Sequence, residues 1–416
     1  MSAWIRLVVA MLFVLGLGVG GVRAQSTIRP VALAGDRAPG GGTFEHFGVE
    51  ALPIVAPVNG KGQVAFFASL LRSTASEAFF IVTKSRTLRI VAEGDPVPGG
   101  GTFSGFGRHP IPALNERGDV AFAAAVVGGR TVEGIFIRDS RGLRTVVLTG
   151  GAAAGMTSGT IAAVDAPALN DRGDLAFLAS VRRGREIVEA IYTVVGGRRT
   201  KIVAQGDPAP AGGTFAGFGP PVIDNRRRVA FAAVVEGRAV PGGVFVADTA
   251  GVHMLVGAGS DTPIGGIFAK FSERVALNDA GTLAFTAMLK NTEAEQGVFV
   301  VDDRGVRKVA ALGEPAPGGG TFGHFSLWPA LAADGSTAFA ASLDASTAQV
   351  GLFVASGRGA SRVVALGDNL SAGHRLASLG LYPVVSLSAT GGLTFATTAA
   401  ANAGIEGIFL VEPRSQ

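Results

Sequence analysis

One eight-residue string, N-x-x-G-x-x-A-F, recurs seven times along the chain, intact or altered. It ends at Phe66, Phe122, Phe177, Phe231, Phe285, Phe339 and Phe395, at gaps of 56, 55, 54, 54, 54 and 56 residues. A period this regular describes one supersecondary unit copied in tandem, and it restricts the fold to a ring or a rod of repeats. The second copy shows the unit. Its Asn115-Glu116-Arg117-Gly118 is turn chemistry: Asn bonds its own backbone two residues on, and Gly supplies a positive φ. Asp119–Val126 then alternates large residues with alanines, which is a strand read at period two. Strand c follows at Gly134–Ile137, a second turn at Asp139–Gly142, and strand d at Leu143–Leu148, while Arg108–Leu114 reads as strand a. Four short antiparallel strands in about 55 residues make one propeller blade. The expectation is an all-β, seven-bladed β-propeller of four-stranded antiparallel blades.

The order of strands around the chain supports a ring over a rod. A d-type strand stands at the front (residues 28–34) and a c-type strand at the back (residues 407–411), so the last blade has a, b and c but no d. Pairing the N-terminal strand with the C-terminal one completes that blade and leaves no open edge at the seam. A rod needs polar caps at both ends, and neither end reads as one.

Residues 1–24 read as a signal peptide: Arg6, an apolar run from Leu7 to about Val22, then Val22-Arg23-Ala24 with small residues at −3 and −1. The rest, 25–416, reads as one domain, exported and either extracellular or periplasmic. No cysteine is present, so packing alone must stabilise it. The formal charge of +4 falls to +2 without Arg6 and Arg23, which does not suit a general nucleic-acid binder. No second long apolar segment and no C-terminal anchor are read, and a monomer is expected.

The motif is intact at 59–66, 115–122, 170–177 and 278–285. It is altered at 224–231 (Arg227 for Gly), 332–339 and 388–395 (Thr394 for Ala). In this the chain resembles bacterial exported proteins with tandem NxxGxxAF repeats, the choice-of-anchor type. The resemblance covers the whole chain after residue 24 and implies location and architecture, with no activity to carry over.

Candidate sites are sparse. The d-to-a connection Gly94-Asp95-Pro96-Val97-Pro98-Gly99-Gly100-Gly101-Thr102-Phe103 recurs with an acid at Asp36, Asp207, Asp261, Glu314 and Asp368. A calcium site built on Asp36, Asp95, Asp207 and Asp368 is one reading. However, each loop offers one carboxylate where calcium takes six to eight oxygens, and a strand-end cap is the other reading. The glycine triplet lacks the Lys-Ser/Thr of a phosphate loop. Arg198 and Arg199, placed on a c–d turn, should neighbour Arg226 and Arg227 on the next a–b turn, a patch suited to a protein or an anionic glycan. The histidines (His46, His109, His253, His324 and His374) show no zinc spacing, and no G-x-S-x-G elbow exists. Tyr192 replaces a core Phe. Tyr382, read as part of the last strand a near the channel, is the single candidate for chemistry. No cofactor beyond calcium is indicated. The sequence favours a non-catalytic binding or scaffold propeller. The alternative is a hydrolase or lyase working at the channel mouth, which would show convergent carboxylates or a His–carboxylate pair there, where a binder shows aromatic or arginine patches.

Overall fold

Each motif turn sends its chain into a strand b, and each strand b hydrogen-bonds strand c on one side and strand a on the other. In the second blade these are Val120–Val127 (b), Glu133–Asp139 (c) and Gly142–Leu148 (d), in the order a-b-c-d. The computed structural model describes residues 27–412 other than 50–51, 108, 238–239, 371–372 and 400–403. The segment read as a signal peptide lies outside them. Seven antiparallel sheets of this plan form a seven-bladed propeller. The short inner strands touch from blade to blade: Ala113–Leu114, Ala168–Leu169, Val222–Ile223, Ala276–Leu277, Ala330–Leu331 and Val385–Leu387. Strand a therefore lines the axis and strand d forms the rim.

The seam closes as expected. Ile28–Leu33 pairs antiparallel with Gly407–Val411, Arg29 opposite Leu410 and Pro30 opposite Phe409. The register slips by one residue between Pro30 and Ala32. The six internal d strands slip at the same place, opposite the step before the strand-c aromatic. The N-terminal strand is thus a d strand in detail as well as in position.

Strand a departs from the sequence reading. It is split into two pieces that share one edge of strand b. In blade 2, Thr102–Gly105 pairs with the far end of strand b and Ala113–Leu114 with its beginning. Apart from Arg108, which lies outside the described residues, the run read as strand up to Leu114 is therefore mostly a connection, and the end of the glycine-rich loop is itself strand. The reason lies in the side chains: Phe103, fully buried, packs its ring on Phe136 at 4.8 Å and 80°, whereas Pro110 and Pro112 lack the N–H that a continuous strand needs.

Phenylalanines build the core. The strand-b and strand-c rings of every blade stack at 5.5–5.9 Å. A strand-a Phe meets the strand-c ring edge-on at 4.8–5.1 Å in five blades. Such pairs add about 0.5–1.5 kcal/mol beyond area burial. Blade 3 has Ile161 at that position and Tyr192 in the strand-c slot, where its hydroxyl is buried with no partner among the described residues and burial raises its pKa.

Three sets of polar contacts stitch the blades. Asn59, Asn115, Asn170 and Asn278 donate from Nδ2 to the carbonyls of Asn115, Asn170, Asp224 and Ala332, one repeat on, at 2.9–3.0 Å. The Oδ1 of each accepts from the backbone four residues on. Next to them Glu116, Asp171 and Asp279 accept backbone N–H groups from the preceding blade's turn, with Asn225 bridging Asp171 and Asp279. In the third set, acids at the start of strand c (Glu77, Glu133, Glu189 and Glu406) and Gln296 accept the N–H of Phe106, Val164, Phe218, Phe47 and Phe325 in the following blade.

Candidate ligand-binding mouth of the channel

Because strand a is broken, each blade presents a connection at the axis between the two halves. It is three or four residues in blades 3 to 6 (165–167, 219–221, 272–275 and 326–329). It is longer in blade 2 (106–112), in blade 1 (45–57, between Phe44 and the Val58 bridge) and in blade 7 (376–384). The repeats differ most here, on the adjoining blades 7, 1 and 2.

These connections carry several of the polar and aromatic side chains at the axis. Arg274 and Trp328 occupy the same position in consecutive repeats, three residues before the inner strand's Leu277 and Leu331. One repeat apart on a ring means side by side, and the Arg274 guanidinium lies over the Trp328 ring at 4.1 Å. Burial lowers its pKa to about 10, against the raising effects of Asp165 and Glu273, so it is charged at neutral pH. On the neighbouring blades His109 Nδ1 stands 3.3 Å from Asp165 Oδ1.

Two hollows flank the blade 7 connection. One, about 520 Å³, is lined by His46, Val49, Leu52, Ile54, Leu379 and Tyr382. The other, about 460 Å³, is lined by Pro53, Phe325, Leu327, Trp328, Tyr382 and Pro383. Tyr382 stands between them, 54% exposed, beside Leu381 at 75% and Leu327 at 50%. Pro53 from blade 1 and Trp328 from blade 6 share the second hollow, which therefore crosses in front of blade 7. At the rim of the first hollow His46 Nδ1 is 2.9 Å from Glu406 Oε2, and that hydrogen bond raises the imidazole's pKa.

Of the residues singled out from sequence, Tyr382 lies at this mouth, in the connection before the inner strand Val385–Leu387 and not in the strand. Arg198 and Arg199 begin strand d, with Gly196-Gly197 as the turn. Arg199 folds back over its own blade, donating from Nη2 to the Ala152 carbonyl and lying 6.0 Å from the Tyr192 ring. Arg227, at φ 67° in the motif's glycine position, pairs with Asp174 at 2.9 Å, while Arg226 is exposed.

The loop acids lie one to a blade. Asp36, Asp95, Asp207, Glu314 and Asp368 each accept the backbone N–H three residues earlier, ending their own d strand. Four of them also face a base six residues before: Arg89, Lys201, Lys308 and Arg362. Where strand d has Thr145 or Met254 at that place, the loop has Gly151 or Ser260. Asp261 is one residue out of register and stands where Pro96 does. Among the described residues no group of three or more His, Asp and Glu gathers as metal ligands do.

Arg274, Trp328 and the His109–Asp165 pair escaped the sequence reading. The signal was present in the slot before the inner Ala-Leu, filled by Ile111, Ala166, Pro220, Arg274 and Trp328 in turn. It was hidden because that stretch read as strand core.

The family model that matches spans residues 58–408 and is described as "Family of unknown function (DUF7453)". The chain belongs to this family. Within DUF7453 the motif turns and inner connections described above fall inside the matched span, except 45–57. No curated protein matches the sequence. The DUF7453 chain is similar in fold to an oligogalacturonate lyase in complex with manganese, at 12% identity over 94% of this chain and 98% of that one, TM-score 0.50. It is also similar to the Vibrio parahaemolyticus oligogalacturonate lyase (11% identity, 93% and 98%, TM-score 0.46) and to polysaccharide lyase Uly1 (9%, 94% and 98%, TM-score 0.44). At these identities the likeness bears on architecture alone. No helix among the described residues is long and apolar enough to cross a membrane.

Proposed function

We propose that this is an exported binding propeller that seats a glycan at the channel mouth, without transforming it. The observation carrying this reading is the pair of hollows around Tyr382 and Trp328, an aromatic and apolar surface left exposed on a molecule whose turn acids are engaged by backbone N–H groups. Concave, mostly apolar sites with a few convergent polar groups are what small ligands and sugar units occupy. The purified protein should retain glycans from an array, and Tyr382→Ala and Leu381→Ser should weaken retention about tenfold or more with an unchanged melting temperature. Retention equal to wild type in both variants would remove the site from this mouth.

A second reading, a lyase or hydrolase, is favoured by one observation, the His109–Asp165 pair. A carboxylate at Nδ1 fixes the imidazole so that Nε2 can accept or deliver a proton. Incubation with acidic polysaccharides would show chain cleavage that His109→Ala abolishes. Cleavage unaffected by His109→Ala would discard this reading.

A further inference from the structure

We infer that the mouth binds the carboxylate of an acidic sugar through Arg274; this rests on the reading of the mouth as the glycan site and names the class of glycan. Five arginines elsewhere are paired with carboxylates: Arg117 with Asp119, Arg144 with Asp139, Arg227 with Asp174, Arg228 with Asp224, Arg307 with Asp302. Arg199, whose Nε is also buried without a partner among the described residues, donates from Nη2 to the Ala152 carbonyl. Arg274 differs. Its Nε is buried with no hydrogen-bond partner among the described residues, and Asp165 and Glu273 act on it only through space.

A charged group taken from water without contact partners is expensive unless something completes its hydrogen bonding. Trp328 covers one face of the guanidinium. Stacking leaves the in-plane donors unspent, and that planar fork matches a carboxylate.

The surroundings select among anions. Asp165 and Glu273 add negative potential beside Arg274, which disfavours a dianion such as phosphate more than a singly charged carboxylate. Trp328 also lines the 460 Å³ hollow with Leu327 and Tyr382, which gives a body attached to that carboxylate an apolar floor. Tyr382 brings a hydroxyl to the same hollow, a polar group that sugar hydroxyls can meet. An acidic sugar offers hydroxyls together with the carboxylate on a rigid ring, and an acidic peptide does not.

Trp4 and Trp328 are the two tryptophans of the chain, so a Trp4→Phe protein reports by fluorescence from Trp328 alone. Three probes are titrated: oligogalacturonate, the neutral galactose oligomer of equal length, and a glutamate-rich peptide. Oligogalacturonate should shift the emission, bind about tenfold or more tighter than the neutral oligomer, and weaken as salt rises. Arg274→Gln should remove that preference, while Arg274→Lys, which keeps the charge without the fork, should lose part of it. The salt dependence of the unmodified arginine site carries the test if either variant fails to fold. Equal affinity for acidic and neutral oligomers, both weakened by Tyr382→Ala, would overturn the carboxylate assignment and leave the glycan mouth standing. Binding of the peptide in preference to either sugar would overturn the sugar assignment. No response to any probe would overturn the inference, and the array then tests the mouth by itself.

Discussion

Asn278 shows why the repeat opens on asparagine. Its Oδ1 holds the turn through Thr282 N–H, and its Nδ2 reaches the Ala332 carbonyl of the next blade. Aspartate supplies the first function and cannot supply the second. Blade 4 carries that exchange: Asp224 keeps the turn, and Arg228, paired with it at 2.6 Å, sends its own Nη2 to the Asp279 carbonyl. Asn278→Asp, with no such arginine, should lose about 1–3 kcal/mol in chemical denaturation, and Asn278→Ala at least as much, since buried backbone groups are left unpaired. Phe122→Ala, which removes a fully buried ring stacked on Phe136, should lose about 3–5 kcal/mol. Charge at residue scale sets the pH response. Burial raises the Glu133 carboxyl above its ordinary value, only partly opposed by the Val164 N–H. A raised acid leaves the folded state unpenalised below its unfolded pKa, and the penalty grows as pH rises through the folded pKa. Glu133→Gln, the arrangement blade 5 already uses at Gln296, should therefore stabilise at pH 7 and give no gain in acid. Asp302 is the opposite case. Hydrogen bonds from Arg307, then Arg304, hold its carboxyl well below the carboxylate range despite burial. Its stabilisation is present above the unfolded value of about 3.9 and lost as pH falls through the folded one. Asp302→Asn should flatten that acid limb in a pH series of denaturation curves.

Among the elements, strands b, c and d were legible because alternation, paired turns and a fixed period agree on them. The motif also marks where strand b begins to within a residue, at Val120. Strand a was not legible. Its halves are two to five residues each, too short to show alternation, and the apolar Ile111-Pro112-Ala113-Leu114 imitates a strand while half of it connects. The candidate site sits in that gap, so the error about the strand became the omission of Arg274 and Trp328. The closing d strand was legible from permutation alone. Removing residues 27–36 should strip Gly407–Val411 of its outer neighbour, expose Phe409 and Ile408, and lower the melting temperature of the entire molecule. An unchanged thermal transition in that truncation would mean that another segment closes the ring.

For the molecule as a whole, every junction between consecutive blades is covered by at least one contact set or apolar cluster, including blade 7 to blade 1 through Thr394 and Ala56. Calorimetry should accordingly record one transition with equal calorimetric and van't Hoff enthalpies, where an open row of repeats would unravel from its ends. The arginine patch expected on blades 3 and 4 shows a limit of scale. Residue counts can place basic groups on one end of the ring, but they say nothing of Asp174, which pairs with Arg227. The seam has a consequence in time. Arg29 meets Glu412 across 383 positions of chain, so the strand synthesised early must wait, unpartnered, until nearly all of the polypeptide exists. Maturation thus ends with a single long-range capture, and a chaperone that shields residues 28–33 until then would govern the yield of closed rings.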